Sequence, residues 1–207
     1  MEEVTGTTNE LIERLYQISS ATASGILAHM GIRDPSLKGP VCQTPGMKVV
    51  GPAITLQFMP KREDLVSEQE QENVEKKTAL WEVLEHIIPG SVLVVDARGD
   101  MSTGCLGEML LTYFKTKGGA GVIVDGCIRD YPKVRHFDVP LWTRGITPNY
   151  ASQTNLVPWD FNVSIACGGV LVMPGDIIIA DDDGAVVVPI KLSREVMAKA
   201  LGKEERE

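Results

Sequence analysis

The 207-residue chain has a net charge of −8 and a pI near 5.0, so it lacks the basic excess with which proteins neutralise nucleic-acid phosphates. Its 43% hydrophobic and 23% charged residues are typical of soluble globular proteins, and no apolar run approaches the roughly 20 residues of a membrane span. The acidic start MEEVTGTTNE does not resemble a signal peptide, and no CxxC pair occurs. We therefore expect a cytoplasmic protein with reduced thiols and neither nucleic-acid nor membrane partners.

In the first ninety residues, helices are predicted before and after one hydrophobic region that is predicted to form strands. Gly51-Pro52 inside that region indicates a bulge or a sheet edge. The last helix should bury Leu80, Trp81, Leu84 and Ile88. The predicted elements are a helix over Thr8–Ile18, a short helix over Gly25–Met30, a connector over 32–46, one or two strands over Lys48–Phe58, a solvated charged helix or loop over 61–77, and a helix over Thr78–Ile88.

The central stretch, residues 91–131, predicts a strand, a helix and a second strand. Val92–Val95 is an apolar run, Glu108–Lys117 has helical composition, Gly118-Gly119 ends that helix, and Gly121–Asp125 is rich in β-branched residues. Two buried strands joined by one helix form a βαβ unit, so the strands should be parallel. The loops that follow both strands should then open at the same edge of the sheet.

The remainder of the chain is predicted to be mainly β-structure. Asp183-Gly184 between apolar runs indicates a hairpin. The run Asp181–Asp183 lacks the alternate spacing of calcium loops, so it is better explained as an acidic turn than as a metal site. Ser193 is predicted to cap a C-terminal helix that extends at least to Leu201. Short strands are expected over Val139–Trp142, Val163–Cys167, Val170–Met173, Ile177–Ala180 and Ala185–Pro189.

The loops of the βαβ unit carry the strongest candidate site. Gly104 and Gly107 allow close backbone approach, and the helix N-terminus at Gly107 offers N–H groups to an anion. Arg129 can bind a carboxylate, while Asp130 and Glu108 are hard oxygen ligands of the kind that Mg²⁺ or Mn²⁺ takes. An alternative is equally consistent with the spacing: an Arg-Asp turn whose charges pair with Glu108 and close the sheet edge.

Other reactive residue types have simpler explanations. Cys105 and Cys127 lie near the candidate site, but neither has a neighbouring histidine, so packing is favoured over a nucleophilic role. Each histidine is isolated, without a second ligand at metal spacing; these are His29, His86 and His136. Arg98 and Asp100 either line the entrance of the crevice or solvate the loop before it, and the first interpretation is favoured for Arg98.

Several motifs together resemble the 4-hydroxy-4-methyl-2-oxoglutarate aldolases, or HMG/CHA aldolases, and their relatives named regulator of ribonuclease activity A. The family motif is an acidic residue, 20 intervening residues and Arg-Asp, which here is Glu108, residues 109–128 and Arg129-Asp130. The resemblance runs from about Gly51 to Pro189. It includes the stretches VLVVDARGD, GCLGEML, GGAGVIVDGCIRDY, VPLWTRGITP and MPGDIIIADDDGAVVVP.

The resemblance implies an α/β fold of the swivelling β/β/α class, similar to phosphohistidine domains, as one domain across residues 1–207. It further implies a homotrimer or hexamer and cleavage of small 2-oxo acids that depends on Mg²⁺ or Mn²⁺. Asp130 would hold the metal, Glu108 would contact it through water, and Arg129 would bind the pyruvyl carboxylate or keto oxygen. The amides of Gly107, Glu108, Met109 and Leu110 would cradle the carboxylate.

The same resemblance leaves several points open. A glutamate from a neighbouring subunit completes the site in relatives, and Glu204 or Glu205 could correspond to it. Ser24-Gly25 stands where relatives have an aspartate, and the charged stretch 67–77 is longer than usual; both leave the choice of substrate open. The alternative function is a protein-binding regulator of a ribonuclease without physiological catalysis. Oxaloacetate decarboxylation is the expected side activity of the enzyme.

Overall fold

A mixed α/β architecture is seen in the computed structural model, which describes residues 2–62, 64–65 and 78–204. The strands in this part of the chain are β1 (Val41–Cys42), β2 (Val49–Pro60), β3 (Val92–Gly104), β4 (Gly121–Ile128), β5 (Leu141–Ile146), β6 (Leu156–Phe161), β7 (Ile165–Cys167), β8 (Val170–Val172), β9 (Ile177–Asp181) and β10 (Gly184–Val188). The helices are α1 (Glu2–Leu15), α2 (Ser20–His29), α3 (Ala79–Glu85), α4 (Glu108–Thr116), α5 (Tyr131–Val134) and α6 (Ser193–Glu204).

The main sheet has the order β1-β5-β4-β3-β2-β9-β10, and β6 also pairs with β2. The inner strands β5, β4, β3 and β2 are parallel to one another. Strand β1 pairs with β5, β6 and β9 pair with β2, and β10 pairs with β9, all in the antiparallel sense. Helix α4 connects the parallel strands β3 and β4, which confirms the predicted βαβ unit. The loops after β3 and β4 therefore lie at one edge of the sheet.

Strand β2 connects the two parts of the sheet. Its residues Val49–Pro52 pair with β9, Ala53–Gln57 pair with β3, and Leu56–Pro60 pair with β6. The predicted strand or pair of strands over Lys48–Phe58 is thus one strand, with Pro52 inside it opposite Ile177.

Alternating side chains of the central strands fill cores on both faces of the sheet. On one face, Leu93 and Val95 pack with Leu111 and Phe114 of α4 and with residues of α3. On the other face, Val92 and Val94 pack in a core that the small β7-β8 hairpin covers. A third core joins α1, α2 and α6 to the β9-β10 hairpin. Helix α4 is therefore fixed to the sheet by fully buried side chains just after the candidate site.

Most predicted helices are present with shifted ends. Helix α1 begins at Glu2 and ends at Leu15, and α2 begins at Ser20, where the Ser19 side chain accepts a hydrogen bond from the Thr22 N–H. The prediction that Ile88 faces inward is wrong, because α3 ends at Glu85 and the helical period ends with it. The charged region predicted over 61–77 falls largely outside the described residues.

The Asp-Gly hairpin is confirmed by antiparallel pairing of β9 with β10. Asp181 accepts hydrogen bonds from the backbone and hydroxyl of Ser20, and Asp182 accepts from the Gly46 N–H, so these acids have structural partners. Ser193 is the first residue of α6 and its hydroxyl donates to the Ile190 carbonyl, which differs from the predicted capping role. No helix in the described ranges is long and apolar enough to cross a bilayer.

Candidate active site

The loops after β3 and β4 meet at the start of helix α4. Gly107 is the residue before α4, and Asp130 occupies the same position before α5. The Glu108 N–H donates to Asp130 Oδ2 over 3.1 Å. The Asp130 carboxylate therefore satisfies one of the unpaired amides at the start of α4 and ties the two loops together.

Arg129 is held on both its backbone and its side chain. Its N–H donates to the Leu106 carbonyl over 2.9 Å, and its Nε lies 3.5 Å from Asp130 Oδ2. The guanidinium carbon lies 5.8 Å from the centre of the Tyr150 ring, a cation–π contact. About a third of the Arg129 side chain is exposed, so the guanidinium is positioned and still accessible to an anion.

Two glycines make this close approach possible. A Cβ on Gly107 would lie 2.5 Å from Asp130 Oδ2 and 2.9 Å from Arg129 Nε. A Cβ on Gly104 would lie 2.4 Å from the Asn149 carbonyl oxygen and 3.1 Å from Arg129 Cβ. Gly107 therefore allows the loop to pack against the Arg129-Asp130 pair, and Gly104 allows it to pack mainly against the Asn149 backbone.

Asp130 has a left-handed backbone conformation, with φ 58° and ψ 26°. Aspartate and asparagine tolerate this region better than most residues, although it is strained relative to ordinary backbone. The turn at Asp130 directs the chain into α5, whose first turn carries Lys133. The Lys133 N–H donates to the Asp130 carbonyl over 2.9 Å.

Lys133 is the site residue that the sequence did not predict. Its Nζ lies 2.5 Å from Glu108 Oε2, and the hydrogen bond to Glu108 raises the pKa of the Lys133 ammonium. The alternative sequence hypothesis paired Glu108 with the Arg-Asp turn. The structure instead joins Arg129 to Asp130 and Glu108 to Lys133, so four charged side chains surround the start of α4.

The predicted amide cradle is available in part. Among the described residues, the N–H groups of Met109 and Leu110 have no hydrogen-bond acceptor, while the Glu108 N–H is used by Asp130. Free N–H groups at a helix start form a site for a carboxylate or phosphate. Met109 itself is 71% exposed and lines an open groove along α4. The groove is bounded by Trp81, Glu108, Met109, Thr112, Tyr113 and Thr116.

The donor set fits a hard divalent cation that keeps some of its water. Both polar contacts of the Asp130 side chain in the described part of the chain use Oδ2, so Oδ1 is available to a ligand. In those same residues, no group of three or more His, Cys, Asp or Glu side chains is placed to hold a metal. Mg²⁺ and Mn²⁺ are commonly bound by one or two carboxylates together with waters and substrate, which agrees with Asp130 and Glu108.

The other residues that the sequence suggested for the site make no described contact with the four charged side chains at the start of α4. Arg98 has φ 60°, and its side chain approaches the Met59 sulfur at 3.9 Å instead of any residue of the site. Cys105 and Cys127 are buried, and burial raises the pKa of both thiols, which favours packing over nucleophilic chemistry. Glu205 lies outside the described residues, and for Glu204 only the backbone, at the end of α6, is described.

Comparison with known proteins identifies the family. The family model described as RraA-like, Aldolase/RraA, matches residues 17–187. The chain belongs to the RraA-like family. A curated relative from Halalkalibacterium halodurans, named "Putative 4-hydroxy-4-methyl-2-oxoglutarate aldolase", is 36% identical over 157 residues, which are 76% of this chain and 67% of that protein. The chain spans only 29% and 55% of two other curated relatives.

Solved structures of RraA proteins share this fold. Streptomyces coelicolor RraAS2, described as an unusual member of the RNase ES inhibitor RraA protein family, is 53% identical with a TM-score of 0.87, covering 95% of this chain and 92% of that one. The RNA-processing inhibitor RraA from Thermus thermophilus is 26% identical with a TM-score of 0.60, covering 80% and 92%. The predicted α/β fold of the swivelling class is thereby confirmed for this RraA-like chain.

Proposed function

We propose that this RraA-like protein is a lyase that cleaves 4-hydroxy-4-methyl-2-oxoglutarate, or 4-carboxy-4-hydroxy-2-oxoadipate, to pyruvate and a second 2-oxo acid with Mg²⁺ or Mn²⁺ bound. The observation that carries the proposal is the Asp130 carboxylate, which contacts both the start of α4 and Arg129 while one of its oxygens is available. The aldolase name of the H. halodurans relative supports the same chemistry.

The residues have separate tasks in binding. The free N–H groups of Met109 and Leu110 and the Arg129 guanidinium bind the carboxylate and keto oxygen of the pyruvyl end. Asp130 and Glu108 hold the cation, either directly or through water. When bound, the cation acts as a Lewis acid that draws electron density from the keto oxygen.

The reaction is a retro-aldol cleavage. A water molecule or carboxylate in the crevice accepts the proton of the C4 hydroxyl, the C4 oxygen becomes a carbonyl, and the C3–C4 bond breaks. The electron pair of that bond moves into the pyruvyl part as an enolate, whose oxygen the Arg129 guanidinium stabilises. Protonation at C3 then releases pyruvate. Loss of carbon dioxide from oxaloacetate produces the same enolate, so decarboxylation is the expected side activity.

We also propose that the protein assembles as a homotrimer or hexamer. A homotrimer or a hexamer would bring a glutamate from a neighbouring copy to the crevice, and sedimentation velocity would measure the assembly. The four free cysteines agree with a protein of the reducing cytoplasm.

A second candidate function is regulation of a ribonuclease. It is favoured by the 53% identity to RraAS2, which is described as belonging to a ribonuclease-inhibitor family. In that case, the partner would be the ribonuclease and turnover of 2-oxo acids would have no physiological role.

The two functions are separated by an Asp130→Asn variant. Asparagine tolerates the left-handed backbone but is a weaker cation ligand, so cleavage and decarboxylation should fall about 100-fold or more while folding is retained. Both reactions are followed as pyruvate release with Mg²⁺, with Mn²⁺ and after chelation. Asp138→Asn, at an exposed aspartate that makes no ion pair among the described residues, is the matched control and should behave as the parent protein. Full inhibition of a ribonuclease by a parent protein without metal-dependent turnover would favour the regulator.

A further inference from the structure

We propose that Lys133 selects substrates with a second carboxylate, and that it becomes free for this role when a divalent cation occupies Glu108. The inference rests on the proposed lyase function. In the structure, the Lys133 ammonium lies 2.5 Å from Glu108 Oε2 and so neutralises a carboxylate that would face the cation. Lys133 therefore acts as an internal substitute for that cation.

The charges of the cluster support an exchange. Glu108 and Asp130 are balanced by Arg129 and Lys133, so the four side chains are neutral together. A divalent cation on the two carboxylates leaves two positive charges, one on each basic residue. A substrate with two carboxylates restores the balance, whereas a monocarboxylate leaves one ammonium unpaired.

The two basic residues are suited to different ends of the substrate. The Arg129 backbone is held by the Leu106 carbonyl, and its guanidinium contacts Asp130 and the Tyr150 ring, so this cation stays beside the start of α4. Lys133 is 67% exposed and has a flexible side chain, while its backbone is fixed by the bond to Asp130. Within the described residues, no other lysine or arginine forms an ion pair with Glu108 or Asp130.

The Lys133–Glu108 pair is easily exchanged. Exposed ion pairs contribute little to stability because water solvates both partners. Replacing the ammonium on Glu108 by a divalent cation therefore loses little, and the released ammonium gains a carboxylate partner on the substrate. Binding of the cation and binding of a dicarboxylate should strengthen each other through this one residue.

The test uses Lys133→Met and two substrates that differ at one group. 4-Hydroxy-4-methyl-2-oxoglutarate has a distal carboxylate, and 4-hydroxy-4-methyl-2-oxopentanoate has a methyl group in its place and cleaves to pyruvate and acetone. The parent protein should prefer the dicarboxylate. With Mn²⁺ saturating for both proteins, Lys133→Met should raise KM for the dicarboxylate about 10-fold and change kcat and the KM for the monocarboxylate much less. Lys133→Arg should retain most of the preference, and Lys115→Met, at an exposed lysine of α4, should retain all of it.

A second measurement requires no turnover. Free Mn²⁺ measured by electron paramagnetic resonance should show that Lys133→Met binds Mn²⁺ several-fold more tightly than the parent, because no ammonium competes for Glu108. The inference is overturned if Lys133→Met keeps the dicarboxylate preference or binds Mn²⁺ no more tightly. If the parent protein cleaves neither substrate, the proposed lyase function fails, and the Mn²⁺ titration still decides whether Lys133 competes with the cation.

Discussion

At the scale of single residues, the site depends on how closely the Asp130 and Arg129 side chains approach the backbone of Gly107. Because Gly107 has no Cβ, Asp130 Oδ2 and Arg129 Nε can lie within 3 Å of the position that a Cβ would occupy. Gly107 has φ −133°, a value that any residue adopts, so the requirement for glycine comes from space and not from backbone conformation.

Gly107→Ala should therefore reduce activity far more than stability. The new methyl group must displace the ends of two partly exposed side chains, which can move without unfolding the protein. Displacing catalytic groups by about 1 Å can lower turnover roughly 100-fold. We expect a loss of that order in pyruvate release, with a change in unfolding free energy below about 1 kcal/mol.

The control for Gly107→Ala is Gly25→Ala in helix α2, where no atom lies within 4 Å of the added Cβ. This change should leave activity intact and stabilise the protein by about 0.5–1 kcal/mol, because alanine favours helix interiors. An active Gly107→Ala variant would contradict the close approach of Asp130 to the start of α4.

At the scale of elements, three neighbouring strands place charged residues on the face opposite the site. Asp96 of β3 and Asp125 of β4 are buried, and Arg144 of β5 donates to Asp125. Burial raises the pKa of Asp96, nearby Asp125 adds to this effect, and the hydrogen bond from the Arg98 N–H opposes it. Asp96 therefore binds its proton more tightly in the folded protein than in the unfolded chain.

Asp96→Asn should make the protein more stable at neutral pH, because the buried carboxylate of Asp96 destabilises the fold when it is ionised. For an acid whose pKa is raised on folding, stability falls as pH rises from the ordinary carboxyl range to the raised pKa, and the loss is then constant. The variant should match the parent at low pH and become more stable than the parent as pH rises. Asparagine can still accept the Arg98 N–H. Urea unfolding across this pH range, at fixed protein concentration, measures the difference.

Asp138→Asn serves as the exposed control and should change stability by less than about 0.5 kcal/mol. A loss of stability in Asp96→Asn at neutral pH would show that the charged carboxylate is favoured in the folded protein, contrary to the effect of burial.

Sequence patterns predicted the elements that have a clear apolar run or a helical spacing of apolar residues. Strands β3 and β4 and helix α4 were predicted because Val92–Val95, Gly121–Asp125 and Glu108–Lys117 have clear periods. Strand β1 has only two residues within a connector, and β6 contains Pro158, so neither has a strand signal. Strand β3 continues beyond Val95 with register shifts, which no local pattern indicates.

The same reasoning applies to the candidate site. The meeting of Glu108 with Asp130 follows from parallel neighbouring strands, whose loops share an edge. The position of Lys133 depends on the left-handed turn at Asp130 and on a four-residue helix, and neither can be inferred from the residue types. The alternative hypothesis expected an ion pair between Glu108 and the Arg129-Asp130 turn. Glu108 does form an ion pair, but its partner is Lys133.

At the scale of the whole molecule, β2 connects the parallel part of the sheet to the β9-β10 hairpin. Gly51 lies at this junction. A Cβ there would lie 2.1 Å from the Gly90 carbonyl oxygen and 3.2 Å from Val92 Cγ2. The backbone before β3 therefore passes directly over β2.

Gly51→Ala should destabilise the whole fold. The clash is with a backbone oxygen, which cannot move without shifting the start of β3, so we expect a loss of about 1–3 kcal/mol. Thermal or urea unfolding measures it, with Gly25→Ala as the matched alanine substitution at an open position. A stability unchanged by Gly51→Ala would mean that the two strands can separate here without loss.

The pairing of β2 also has a consequence during synthesis on the ribosome. Pro52 pairs with Ile177, about 125 residues later in the chain. At translation rates of roughly 5–20 residues per second, the first part of β2 is exposed for about 6–25 seconds before its partner emerges. An unpaired apolar strand edge can associate with other chains during such an interval. Folding of the nascent chain should therefore depend on protection of Val49–Pro52 until β9 has been made.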